Sequence, residues 1–229
     1  MSGAGSPSVR SVAWPRIVPF AAFIVVLLAE PYLAGWVEPV LDPRWLYGIR
    51  SAITGVAMLA LWRYYAELRP GARTPGWAWG MGLLAGLLVF ALWITLDFGL
   101  LVMGQNESPF DPRVNGRIHT GLALTRLVGA ALVVPVMEEL FWRSFLMRWL
   151  ERPRFLDVDP RAVGWKPLVM TSAVFALEHR LWFAGLLAGL VYGELYRRTG
   201  SLWVVVLAHA VTNGTLGFYV LATGRWGFW

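Results

Sequence analysis

The chain has 229 residues, 57% of them hydrophobic and only 15% charged, with a mean hydropathy of +0.55 and a formal net charge of +6. Ordinary soluble domains are nearer a quarter charged, and the arginines here fall between apolar stretches rather than on one basic face, so neither a soluble core nor a nucleic-acid surface fits. The absence of cysteine removes disulfides, thiolate metal sites and a cysteine nucleophile.

Residues 1–16 are Gly/Ser-rich and basic, and read as a cytoplasmic tail. The apolar run that follows is broken by Glu30-Pro31 and lacks a small-residue cleavage site, so it is expected to be an uncleaved first span. A span needs about 20 apolar residues. Such runs occur at 17–37, 46–65, 77–103, 120–147, 166–179, 182–197 and 201–222. The second contains Arg50, and the fifth is too short to cross alone and is expected to end near its neighbour inside the membrane. The expected fold is all-α, a polytopic bundle of about seven (six to eight) spans. Residues 17–119 carry spans of unassigned role, 120–222 form the region with chemistry, and 223–229 are a C-terminal tail.

Arginine and lysine set the orientation. With the N-terminus cytoplasmic, inside segments carry 12 of them (among them Arg10, Arg16, Arg63, Arg69, Arg73 and Arg148) and outside segments carry 6. Loop 104–119, with Asn106, Glu107, Asp111 and Asn115, then faces outward. The sixth run has Gly185, Gly189 and Gly193 on one face, a packing seam for a neighbouring helix.

Ionisable groups inside spans are costly and need a partner or a purpose. The fourth run contains Pro135, Glu138, Glu139 and Arg143; the fifth ends Glu178-His179; the seventh contains His209 and Asn213. Glu139 and Arg143 are four apart and share a helix face. Glu138, turned about 100° from Glu139, is left without that partner. Counting from the nearest cytoplasmic charges places Glu138, His179 and His209 at roughly 15–20 Å depth, so the fourth, fifth and seventh spans can enclose one polar site. Pro135 is expected to kink its helix. A carboxylate beside a histidine can hold a water and take its proton. A second histidine with an asparagine amide supplies donors for a tetrahedral oxyanion.

Glu138-Glu139-x-x-x-Arg143, Phe175-x-x-x-His179 and His209-x-x-x-Asn213 resemble the three motifs of the CPBP (ABI) family of CAAX prenyl endopeptidases and their bacterial relatives. The likeness covers about 120–222. It implies a glutamate-type intramembrane endopeptidase acting on the cytoplasmic side, with Glu138 as base, His179 holding the water, His209 and Asn213 as the oxyanion hole, and Glu139 and Arg143 bracing the site. It implies no cofactor and no metal. The partners expected are the lipid bilayer and a membrane-embedded or membrane-associated protein substrate, with no nucleic acid, and the oligomeric state is open. Glu178 departs from the apolar or small residue expected before the histidine, and is free to pair with Arg180 or to perturb His179. An arginine-rich, lysine-poor chain reads as bacterial, multi-pass in the inner membrane, which makes a prenylated substrate unexpected.

Other classes remain open on the sequence. Glu138, His179 and His209 make a workable zinc set, although no His-Glu-x-x-His helix is present. An immunity or scaffold protein would keep the motifs without catalysis, and a proton-coupled transporter would use buried carboxylates but lacks matching halves. Glu30, Asp97, Glu194 and Arg126 read as structural pairing groups, and His119 as a solvated interfacial residue.

Overall fold

The structure, a computed structural model, describes residues 9–69, 74–104 and 109–229. Residues 1–8, Arg73, Asn106 and Glu107 lie outside the described residues. Among the described residues, seven helices make up the bundle: α1 Val9–Val37, α2 Leu46–Ala60, α3 Gly76–Thr95, α4 Thr120–Glu151, α5 Trp165–Leu177, α6 Trp182–Thr199 and α7 Leu202–Thr223. A two-residue antiparallel pair, β1 Arg113–Val114 and β2 Arg117–Ile118, turns through Asn115 and Gly116, both at positive φ as a tight hairpin requires.

The chain is an all-α membrane bundle. Four helices, α1, α3, α4 and α7, are long and apolar enough to cross a bilayer. At 15 and 13 residues, α2 and α5 are shorter than the roughly 20 residues of a full perpendicular span at 1.5 Å per residue. Helix α6 ends in Glu194, Arg197 and Arg198, which pair with one another.

Two boundaries differ from the sequence reading. Helix α1 begins at Val9, inside the segment assigned to a tail. Helix α3 stops at Thr95 rather than continuing to 103. The apolar run past Thr95 includes Asp97, which Arg180 engages at 3.1 Å, with Arg225 at 3.9 Å. Residues 97–103 then fold over the turn between α5 and α6, where the Met103 amide donates to the Arg180 carbonyl and the Trp182 indole to that of Leu100. Hydropathy registers residue type and misses the local charge that ends the helix.

Glycine sets the closeness of two helix pairs. A Cβ on Gly82 or Gly86 of α3 would run into the Val204 or Ala208 carbonyl of α7, and one on Gly189 of α6 would sit 2.8 Å from Ser172 of α5. The seam expected at Gly185, Gly189 and Gly193 therefore faces α5. At the opposite end from Asp97, Arg16 is fully buried and grips Glu67 through two nitrogens, at 2.7 and 2.6 Å. Ser144 of α4 donates to the same carboxylate. This cluster pins α1 and the 3₁₀ turn Ala66–Leu68 to α4.

Helix α4 is not uniformly α-helical. Gly129–Val133 and Leu140–Met147 are π-helical, each closing i→i+5 hydrogen bonds. Pro135 sits just after the first π segment and brings a local hydrogen-bond deficit. The Val134 amide bonds the Gly129 carbonyl, so the next bond in that register would run from residue 135 to Ala130. Proline has no N–H to give.

Candidate active site

The four residues expected to do chemistry line one cavity of about 160 Å³: Glu138 from α4, His179 from the end of α5, and His209 and Asn213 from α7. That volume holds a few waters or one side chain. The π segment explains how one face of α4 serves it. Arg126, Ala130, Val134 and Glu138 all line the cavity, although steps of four in a plain α-helix drift by about 40° each. One extra residue absorbed by the π turn makes the twelve steps rotate like eleven, about 20° from full register.

Each side chain has a defined hydrogen-bonding state. The Nδ1 of His179 lies 2.8 Å from the Phe175 carbonyl one turn back, so Nδ1 carries the proton and the neutral ring offers a lone pair at Nε2. Trp93 meets this ring edge-on at 5.2 Å. The Nδ1 of His209 lies 2.8 Å from Oε1 of Glu139, whose other oxygen faces Arg143 Nε at 3.1 Å. Glu139 is fully buried, and Arg143 lies over the rings of Phe175 and Tyr192. One N–H of Asn213 donates to the Ala130 carbonyl at 2.8 Å, the acceptor that Pro135 leaves without its amide. The second N–H remains for the cavity.

Glu138 differs from these. It is buried, and its Oε2 has no hydrogen-bond partner. Buried carboxyl groups are nearly always hydrogen-bonded; Oε1 of Glu30 and Oε2 of Glu139 also lack a hydrogen bond but each faces an arginine at 3.0 and 3.1 Å, whereas Oε2 of Glu138 has no ion-pair partner either. Among the described residues, no three His, Asp or Glu side chains are grouped as metal ligands.

Residues 120–215 match the sequence model of a family described as type II CAAX prenyl endopeptidase Rce1-like. This membrane region belongs to the CAAX protease family. The CAAX protease region opens on the first residue of α4, closes two residues beyond Asn213, and contains every polar side chain just described. Over that region the chain is similar to a family of intramembrane proteases, which are hydrolases. Neither the curated proteins nor the solved structures give a match. Helices α1 to α3 lie outside the CAAX protease match, yet Val89 and Trp93 of α3 line the cavity.

Sequence reasoning missed part of the CAAX protease cavity. Tyr192 stacks on His209 at 5.1 Å, and its hydroxyl lies 2.6 Å from Thr212 Oγ1. Thr212 donates to the Gly86 carbonyl, so the Tyr192 hydroxyl is the donor of that pair. Tyr192 lies between Gly189 and Gly193, and the seam drew attention away from it. Glu178 does not pair with Arg180, which is held by Asp97; it interacts electrostatically with Glu138 and Arg143. Glu30 pairs with Arg50 at 3.0 Å, and His119 caps α4 by accepting from the Leu122 amide.

Proposed function

We propose that the chain is a glutamate-type intramembrane endopeptidase that cuts a peptide bond of a membrane-embedded or membrane-associated protein. The observation that carries this reading is an unpartnered buried carboxylate, Glu138, in one cavity with a histidine lone pair and two further donors. Glu138 takes a proton from a water that His179 Nε2 orients, and the hydroxide attacks the carbonyl carbon. The oxyanion is met by the second N–H of Asn213 and by Nε2–H of His209. With Nδ1–H of His209 committed to Glu139, a donor at Nε2 means the imidazolium, whose charge Glu139 balances. The tetrahedral intermediate collapses as Glu138 returns its proton to the leaving nitrogen, giving an acid and an amine.

The same reading takes the domain limits 17–119, 120–222 and 223–229, a membrane crossed about seven times, the bacterial inner membrane as location and a cytoplasmic N-terminus. The arginine distribution supports that orientation. The ends that carry Asp97, Arg180 and Arg225 then share the outer side, and those that carry Arg16, Glu67 and Arg148 the inner side.

The test is cleavage of a peptide library by the protein in detergent, with and without chelator, beside Glu138→Gln. Cleavage that survives chelation and vanishes in the variant supports the glutamate mechanism. Loss on chelation alone points to a zinc enzyme. No cleavage by either protein, with full cellular function of the variant, points to a scaffold.

A further inference from the structure

The cavity has a direction. On α4 its lining runs from Arg126 to Glu138 and goes no further; on α7 it runs from His209 to Leu216; beyond these lie Phe228 and Trp229, which follow the end of α7. All extensions lead to the end of the bundle that carries Asp97 and the hairpin. Towards the other end, Leu140, Met147, Leu195, Tyr196 and Leu202 are at most 4% exposed and form one packed cluster that closes the floor. Arg126 stands at the mouth with its Nε buried and without a hydrogen-bond partner. Its guanidinium faces the rings of Tyr47 at 4.1 Å and Phe110 at 5.5 Å. Glu30, the carboxylate that feels its charge, is already held by Arg50. Arg126 was read on the sequence as a structural pairing group, and no carboxylate bonds it.

We infer that substrate enters the cavity from the Arg126 end, and that Arg126 selects a segment bearing a carboxylate, either an acidic side chain or a chain terminus. This deepens the endopeptidase reading and rests on it for the word substrate. The physical basis is that a guanidinium in a low-dielectric, apolar-walled mouth gains most from a planar anion that takes two N–H donors at once. Entry is from the membrane face that carries Asp97 and the hairpin.

A chain without cysteine suits site-directed labelling. Ala130 lies one turn from Arg126 on the same face, so Ala130→Cys probes the mouth, and Leu195→Cys probes the packed floor. Anionic and cationic methanethiosulfonates are applied to intact cells and to inverted vesicles. The expected result is labelling of the mouth cysteine only from the side that labels Asn115→Cys in the hairpin, about tenfold faster for the anionic reagent, as a unit charge one helical turn away dictates. The floor cysteine stays unlabelled. Arg126→Ala removes the preference, Arg126→Glu reverses it and Arg126→Lys restores it, each on protein that remains monodisperse in detergent. Five-residue peptides then compete for labelling: free carboxyl terminus, the amidated form, and the amidated form with one aspartate. Protection by the first alone identifies a terminus, and protection by the third identifies a side chain. Labelling from the side opposite to the hairpin cysteine, a rate ratio near one in the unsubstituted background, or no protection by any peptide overturns the proposal. None of these readings needs catalysis, so they are independent of the Glu138→Gln result.

Discussion

The Nδ1 atom of His209 lies 2.8 Å from Oε1 of Glu139, and that contact joins α7 to α4 at the centre of the bundle. Arg143 Nε lies 3.1 Å from the other oxygen, so both oxygens of Glu139 face a nitrogen, while Oε2 of its neighbour Glu138 has no hydrogen-bond or ion-pair partner. Two adjacent glutamates thus have opposite energetics, and substitution separates them.

Replacing Glu139 leaves Arg143 buried without its counter-charge, a loss of about 3–5 kcal/mol for a buried pair. Glu139→Ala is therefore expected to lower the midpoint of thermal unfolding in detergent sharply. Glu138→Gln replaces a buried carboxyl group whose Oε2 is unbonded at nearly constant volume, and is expected to leave the midpoint unchanged or raised while abolishing cleavage. Equal destabilisation by both would contradict the division of roles.

Asn213 and Pro135 are coupled through the Ala130 carbonyl, one residue supplying the N–H that the other lacks. Asn213→Ala should cost about 1–3 kcal/mol, the penalty of an unsatisfied buried acceptor. In a Pro135→Ala background, where a backbone amide is present again, the same change should cost clearly less. A double-mutant cycle of unfolding free energies reads the difference, and additivity would rule the coupling out.

The close approach of α3 and α7 depends on Gly86. Gly86→Val places methyl groups against the Ala208 carbonyl and Val211, and is expected to cost about 1–3 kcal/mol or more as overpacking. Gly80→Val on the same helix meets open space and should change the unfolding midpoint little by comparison. The pair measures helix contact separately from propensity.

Glu67 gives stability a pH dependence. Burial alone would raise its pKa, but the hydrogen bonds and charge of Arg16 and the Ser144 hydroxyl outweigh that and hold it below the ordinary glutamate value of 4.5. A depressed folded-state pKa means stability present above that value and lost as pH falls through the folded-state one. Unfolding midpoints between pH 7 and pH 3 should therefore decline below about pH 4.5 in the parent protein. Glu67→Gln should start lower at pH 7 and decline less. Parallel curves would show that this cluster is not the source.

The membrane character and the three chemistry-bearing segments were legible because charges inside apolar runs are rare enough to stand out. Glu138, His179, His209 and Asn213 were named from spacing and from the resemblance, and the structure brings them to one cavity. Helix limits at Val9 and Thr95 were less legible, since they depend on tertiary partners such as Arg180 for Asp97. Tyr192 and Thr212 carry no charge and look like ordinary span residues; only contact with His209 gives them meaning. The π segments of α4 leave no mark in hydropathy, although Pro135 after Gly129 was a hint of irregular backbone.

The π turn at Gly129–Val133 makes α4 tolerant of length in an unusual way. Most helices lose their pattern when a residue is removed, but here deleting one residue, for instance Ala131, yields an ordinary, hydrogen-bonded α-helix of nearly equal reach. Such a shortened helix keeps Arg126 in phase with Glu138, because eleven plain steps turn as far as twelve with one residue absorbed. The same loss between Val134 and Glu138, outside the π turn, would swing everything before it by about 100°. A single-codon loss is thus silent in one stretch of this helix and disabling a few residues further on.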